Sequence, residues 1–227
     1  RADTRGPYLP VDILRSSRHH TILFQSTTMR NSGFLFVLLA LAGVATCHFP
    51  PGYHRHRAVR EERKASCILQ PSEPNTVNVT GIVEITQPGP NEPVFVGGLI
   101  SVTTTNEFIT KHGFHIHEFG VPNGDCAEAA GHYNPLGKDH GAPDVDNRHV
   151  GDLGNIVFTS VEEGRYNSFV QIHDSQATLF GDYNVVGRAI VLHEGTDDLG
   201  LGGEDDSLTT GHAGARIACC TINMVPV

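Results

Sequence analysis

From Cys67 onward the chain is a succession of short β-type runs broken by turn residues, and no stretch has the period of a long helix. Val77–Ile85 alternates apolar and polar residues, and Gln87-Pro88-Gly89-Pro90-Asn91 is a turn sequence. Pro93–Thr104 continues in the same style. Shorter strand candidates follow at Gly113–His117, Asn155–Thr159, Ser168–His173, Ala189–Leu192 and Ala215–Ile222. This pattern predicts an all-β, antiparallel sandwich or barrel. The 25 glycines, 13 prolines and absence of tryptophan suit a turn-rich β protein better than a helix bundle. Two stretches, 120–154 and 194–214, do not read as strands. Loops of that length are uncommon unless they carry function.

The N-terminal part has a different character. The first methionine is Met29, followed by Arg30, an apolar run over Gly33–Ala42 and the small residues Gly43-Val44-Ala45-Thr46-Cys47. A basic start, an apolar middle and a small-residue end form a signal peptide. The run is shorter than the roughly 20 residues that span a bilayer. Residues 1–28 are therefore expected to be a non-native leader or an untranslated-region remnant, 29–47 a signal peptide, and the mature protein secreted. Residues 48–65 lack apolar periodicity and carry His48, His54 and His56 among basic residues. They read as a flexible tail, with a cell surface or matrix as its expected contact through 48–64. Residues 66–227 form the folded domain.

Secretion alters the charge and the cysteine chemistry. The full chain carries −9, and loss of residues 1–47 leaves 11 basic against 23 acidic residues, or −12. So acidic a protein is not a general nucleic-acid binder. Cys67, Cys126, Cys219 and Cys220 remain, and an oxidising compartment predicts two disulfides with three pairings open. Asn78-Val79-Thr80 is an acceptor for an N-linked glycan.

Histidine carries the chemistry. His115 and His117 stand two apart in a strand candidate and share a face. His132, His140 and His149 follow in the first long stretch, with Asp152 three residues after His149, and His193 ends a later strand candidate. Imidazole suits copper and zinc, and three histidines with one aspartate suit tetrahedral zinc. No thiolate cluster of a zinc finger and no His-Glu-x-x-His of a metalloprotease occurs.

These segments resemble a known family. Gly113-Phe-His-Ile-His-Glu-Phe-Gly120, Gly131-His-Tyr-Asn-Pro135, His149-Val-Gly-Asp-Leu-Gly154, Gly187-Arg188 and Ala213-Gly-Ala-Arg-Ile-Ala-Cys219 are similar, in order and spacing, to copper/zinc superoxide dismutase. The resemblance covers about residues 66–227. It implies a Greek-key β-sandwich or barrel of about eight strands with two long functional loops, and homodimers or larger homo-oligomers. It implies copper at His115, His117, His132 and His193, and zinc at His132, His140, His149 and Asp152, with His132 shared. It further implies that Asp197 links ligands of the two metals and that Arg216 positions superoxide. Cys126 would pair with Cys219, and Cys67 with Cys220, as in secreted members.

One departure concerns charge. Family members often carry lysines in the second long loop, yet no Lys or Arg stands between His193 and Arg216, and Glu204-Asp205-Asp206 lies there instead. Secreted relatives also include abundant molluscan haemolymph proteins such as cavortin. The competing expectation is therefore a metal-binding plasma protein with little dismutase activity.

Overall fold

The computed structural model describes residues 61–72 and 77–227. The expected leader, the signal peptide and most of the tail lie outside these residues. Ten strands are present: β1 (Arg63–Pro71), β2 (Asn78–Gln87), β3 (Val94–Thr103), β4 (Lys111–His117), β5 (Asp152–Val157), β6 (Thr159–Glu162), β7 (Arg165–Asp174), β8 (Ala189–His193), β9 (Arg216–Thr221) and β10 (Asn223–Val225). They are neighbours in the order β5-β4-β8-β9-β1-β2-β3-β7-β6, with β10 also against β1. Every strand pairing is antiparallel. The two ends of this order, β5 and β6, are separated in the chain by Phe158 alone, so the sheet nearly closes into a barrel.

The expected all-β class is borne out, and the count of about eight strands rises to ten because two short strands carry no apolar alternation. All four residues of β6 are exposed, and β10 has only three residues. β1 was not among the strand candidates. Its inward residues Ala65, Cys67 and Leu69 alternate, but Arg63 to Ala65 belong to the segment assigned to the tail.

Alternation differs around the barrel, and that difference positions the site. β2 buries Val79, Val83 and Ile85 and turns Thr80, Ile82 and Glu84 outward, as one covered face requires. In β4 every residue after Lys111 is buried, and in β8 all five are. Their inward side chains Phe114, Ile116, Ile190 and Leu192 join the main core. On the other face, Ala189 and Val191 pack with Val121, Cys126, Ala129 and Cys219. The long loops therefore cover β4, β8 and β9, and the histidines lie beneath that cover.

The first loop is anchored directly on β4. The Ile116 amide donates to Gly151 O (2.8 Å), the Tyr133 amide to Ile116 O (2.8 Å), and the Gly151 amide to Tyr133 O (3.0 Å). A Cβ at position 151 would overlap the Ile116 carbonyl, so only glycine allows so close an approach. Two disulfides fasten β9 to its surroundings: Cys126–Cys219 joins it to the loop, and Cys67–Cys220 joins it to β1.

The core makes a direct prediction. Ile100 on β3 is fully buried, so Ile100→Ala should cost about 2–5 kcal/mol through lost contacts and the cavity left behind. Glu84→Gln, exposed on β2, should change stability by less than about 0.5 kcal/mol. Denaturant unfolding of both metal-free variants checks the contrast.

Candidate metal centre

Three elements deliver the first group of imidazoles. β4 presents His115 and His117 on one face, β8 ends at His193, and the first loop returns His132 to pair with His117 as an isolated bridge. One ligand nitrogen from each of these four residues falls within 4.8 Å of the others. A second group gathers His132, His140, His149 and Asp152 within the same limit. All seven side chains are buried, and His132 belongs to both groups.

Asp152 organises the second group. Its Oδ1 accepts from His132 Nδ1 at 2.8 Å and His149 Nδ1 at 3.1 Å. His140 Nδ1 lies 3.0 Å from the same oxygen but is not aligned as a hydrogen bond. Oδ2 accepts the backbone amides of His149 (2.8 Å) and Gly141 (3.1 Å). Asp197 then ties the groups together from the second loop: Oδ2 lies 2.9 Å from His115 Nε2, and Oδ1 lies 2.8 Å from His140 Nε2. Asn155 clamps Asp197 by accepting its amide and donating to its carbonyl. Gly211 (φ 65°) passes so close that a Cβ would strike both Asp197 and His140.

The ring nitrogens that face away from the groups are fixed by protein oxygens. His117 Nδ1 donates to Ala130 O at 2.9 Å and His193 Nδ1 to Gly214 O at 3.1 Å. His115 Nδ1, His132 Nε2 and His140 Nδ1 are buried without a hydrogen-bond partner among the described residues. Leaving such atoms unpaired is costly. Imidazoles oriented on one nitrogen, with the other free and convergent, fit metal ions. The donor set fits copper in the all-imidazole group and zinc in the group containing the carboxylate.

Three supporting residues were not legible as such in the sequence. Arg148 is fully buried: it pairs with Asp174 and donates to the carbonyls of His149 and Asp152 at 3.1 Å each. His112 places Nδ1 2.9 Å from the His193 carbonyl. Ala130, at φ 60°, is held in a conformation that alanine seldom adopts. Its carbonyl accepts from both His117 and Arg216. The Arg216 guanidinium also donates to the carbonyls of Cys126 and Ala127. Asn78 is exposed at the start of β2.

Burial dominates the titration of the first group. It drives His117 and His193 well below the ordinary histidine value, reinforced by neighbouring imidazoles, and lowers His132 to about 3. Burial alone would also lower His140, but the Asp152 and Asp197 carboxylates outweigh it and raise His140 to about 9. Both carboxylates stay well below the usual range because their imidazole partners outweigh burial.

An all-β barrel whose two loops bury adjoining imidazole and carboxylate groups around one common histidine has the side chains able to hold metal ions. The model of the copper/zinc superoxide dismutase family matches residues 79–222. An extracellular Cu-Zn superoxide dismutase of Caenorhabditis elegans is 54% identical over 115 residues, which are 51% of this chain and 50% of that protein. A Cu-Zn superoxide dismutase of Dictyostelium discoideum is 44% identical over 69% of this chain and 95% of its own. The crystal structure of the clock protein EA4 superposes with a TM-score of 0.60 at 40% identity, over 71% of this chain and 94% of that one. The chain belongs to the copper/zinc superoxide dismutase family.

The buried histidines set an acid limit on the metal-free protein. Three of them have lowered folded values, so their contribution is present above the ordinary histidine value of 6.5 and is lost as pH falls below it. His140 has the opposite sign: its contribution is full below 6.5 and is lost as pH rises towards 9. Below pH 6.5 the metal-free chain should lose at least about 1.4 kcal/mol per pH unit. Denaturant midpoints between pH 7 and pH 5 check this. A flat profile would contradict it.

Proposed function

We propose that this chain is an extracellular superoxide dismutase that binds copper at His115, His117, His132 and His193, and zinc at His132, His140, His149 and Asp152. The observation that carries the proposal is the position of His132, with Nε2 free towards the first group and Nδ1 on the Asp152 carboxylate. With both metals bound, a histidine so placed would be the ligand common to the two groups. Bound copper supplies the one-electron couple that oxidises one superoxide to dioxygen and reduces the next to peroxide, and zinc, which has no redox chemistry, fixes the loop.

The side chains supply the remaining work. When it is not holding copper, His132 Nε2 would be free to take a proton from solvent and pass it to the nascent peroxide anion, the second proton coming from solvent. Without metal, Asp152 holds the same ring through Nδ1; with zinc bound, His132 and Asp152 would be held together by the ion, so the ring would keep its orientation. Arg216, half-buried at the head of β9, presents a cation beside His117 through their common Ala130 carbonyl, where an anionic substrate is drawn in and oriented. Extracellular residence is supported by the two disulfides and by the extracellular relative.

Metal analysis with a superoxide assay on the mature chain tests this. His117→Ala should lose copper and reduce dismutation beyond the roughly 10–100-fold that removal of a supporting partner costs, while keeping zinc. Full loading of both metals without dismutation would reject the enzyme in favour of a metal-binding secreted protein. Retained activity in the variant would reject the copper assignment.

The second loop yields a separate expectation. It has no Lys or Arg between His193 and Arg216, and its His212 is already paired with Asp206 at 2.6 Å. Long-range attraction of superoxide is therefore weak. Between about 0.01 and 0.15 M ionic strength kcat/KM should change less than about twofold. A steep fall on adding salt would show a steering field from elsewhere.

A further inference from the structure

The turn that leads into β8 and the residue that follows β4 border a cleft of about 350 Å³, at the lower end of the volumes that hold small ligands. Arg188 is its central group. The guanidinium stands over the Tyr133 ring, with Cζ 3.4 Å from the ring centroid. Nε donates to Asn184 O at 3.1 Å and Nη1 to Glu118 O at 2.7 Å. Three contacts with three separate segments thus fix this partly buried cation before any ligand arrives, and the Tyr133 beneath it is itself buried.

Those contacts leave the charge of Arg188 unanswered. Arg63, Arg148 and Arg165 each pair with a carboxylate. Among the described residues no carboxylate pairs with Arg188, and its remaining terminal nitrogen, Nη2, has no hydrogen-bond partner. Two exposed acids, Glu118 and Asp182, line the same cleft without an ion pair to it. Exposed Tyr183 and Pro135 add an apolar rim.

We propose that this cleft binds a free α-amino acid with an aromatic side chain. Arg188 holds its carboxylate, Glu118 and Asp182 receive its ammonium, and Tyr183 and Pro135 flank its ring. The fixed charges select a zwitterion over a simple anion. A guanidinium with one edge free suits a carboxylate. Yet the expected mature chain carries −12 and two acids stand in the cleft itself, so a bare anion is repelled. A zwitterion adds no net charge and meets each fixed charge with its opposite. Because Arg188 is already held, little ordering of the protein opposes binding. His132 contributes to the wall, but its side chain is only 1% exposed. The ligand therefore meets no metal-binding nitrogen, and the inference stands apart from the proposed activity.

Titration calorimetry on the mature chain with its metals tests this with three probes of one shape. L-Phenylalanine should bind with a Kd near or below about 1 mM. 3-Phenylpropionate lacks the ammonium and phenethylamine lacks the carboxylate, and each should bind at least about tenfold more weakly. Glu118→Gln with Asp182→Asn changes only exposed side chains. That double variant should weaken L-phenylalanine about tenfold and leave 3-phenylpropionate unchanged or tighter. Arg188→Gln should abolish binding of both, with metal content and unfolding midpoint as controls for folding. If that variant fails to fold, the three probes and the double variant decide. Absence of binding at about 10 mM L-phenylalanine would overturn the proposal. Equal affinity for 3-phenylpropionate would make the cleft a plain anion site, and equal affinity for phenethylamine a plain cation site; either overturns the zwitterion. Unchanged L-phenylalanine affinity in the double variant would overturn the role of the two acids.

Discussion

A single buried carboxylate holds the metal region together. Asp152 has no exposure, and no bare charge can remain there without partners. Three imidazoles gather about one oxygen and two backbone amides bind the other. Satisfying that carboxylate fixes the positions of His132, His140 and His149 and closes the loop between Gly141 and Asp152. Arg148 works on the same segment from the opposite side: its charge is balanced by Asp174 on β7, and its donors engage the carbonyls of His149 and Asp152. The loop is thus tied to the barrel by two buried charges, each paired with a group of opposite charge or with imidazole and backbone donors. Removing one partner of such a pair strands the other, which is why networks of this kind tolerate little change.

The second loop is held by the same logic at one remove. Asp197 accepts from His115 on β4 and from His140 in the first loop, so the two ligand groups cannot shift independently. Asn155 and the Leu199 amide fix its backbone and side chain in turn. On the opposite flank, the Ala130 carbonyl is shared by His117 and Arg216. The strained φ of Ala130 is kept because two strong donors depend on where that carbonyl points.

The sequence carried the barrel and the ligand types, and the reasons are physical. Alternation in β2, β3 and β7 and the His-x-His pair on β4 are local patterns with a fixed geometric meaning. β1 escaped because its first residues are Arg63 and Lys64, indistinguishable by composition from the basic segment before them. Asp197 stood out only through the resemblance, since its role lies in contacts with His115 and His140, 82 and 57 residues away. Arg148 and His112 carry no local signal at all. A buried arginine is recognisable only when its partner is known, and Asp174 lies 26 residues further on.

The adjacent cysteines show how strand geometry decides between pairings that counting leaves open. Cys219 and Cys220 are neighbours on β9, so their side chains leave on opposite faces. One reaches the loop-covered cluster with Cys126, and the other reaches the barrel core with Cys67. A disulfide between neighbours would require both on one side. The two bonds close sequence separations of 153 and 93 residues, and because they share β9 their effects on the unfolded chain overlap rather than add. The consequence is positional. β9 is clamped on both faces, and its first residue is Arg216. The cation, and the loop that carries Ala130, are therefore held by covalent chemistry that does not depend on the metal ligands.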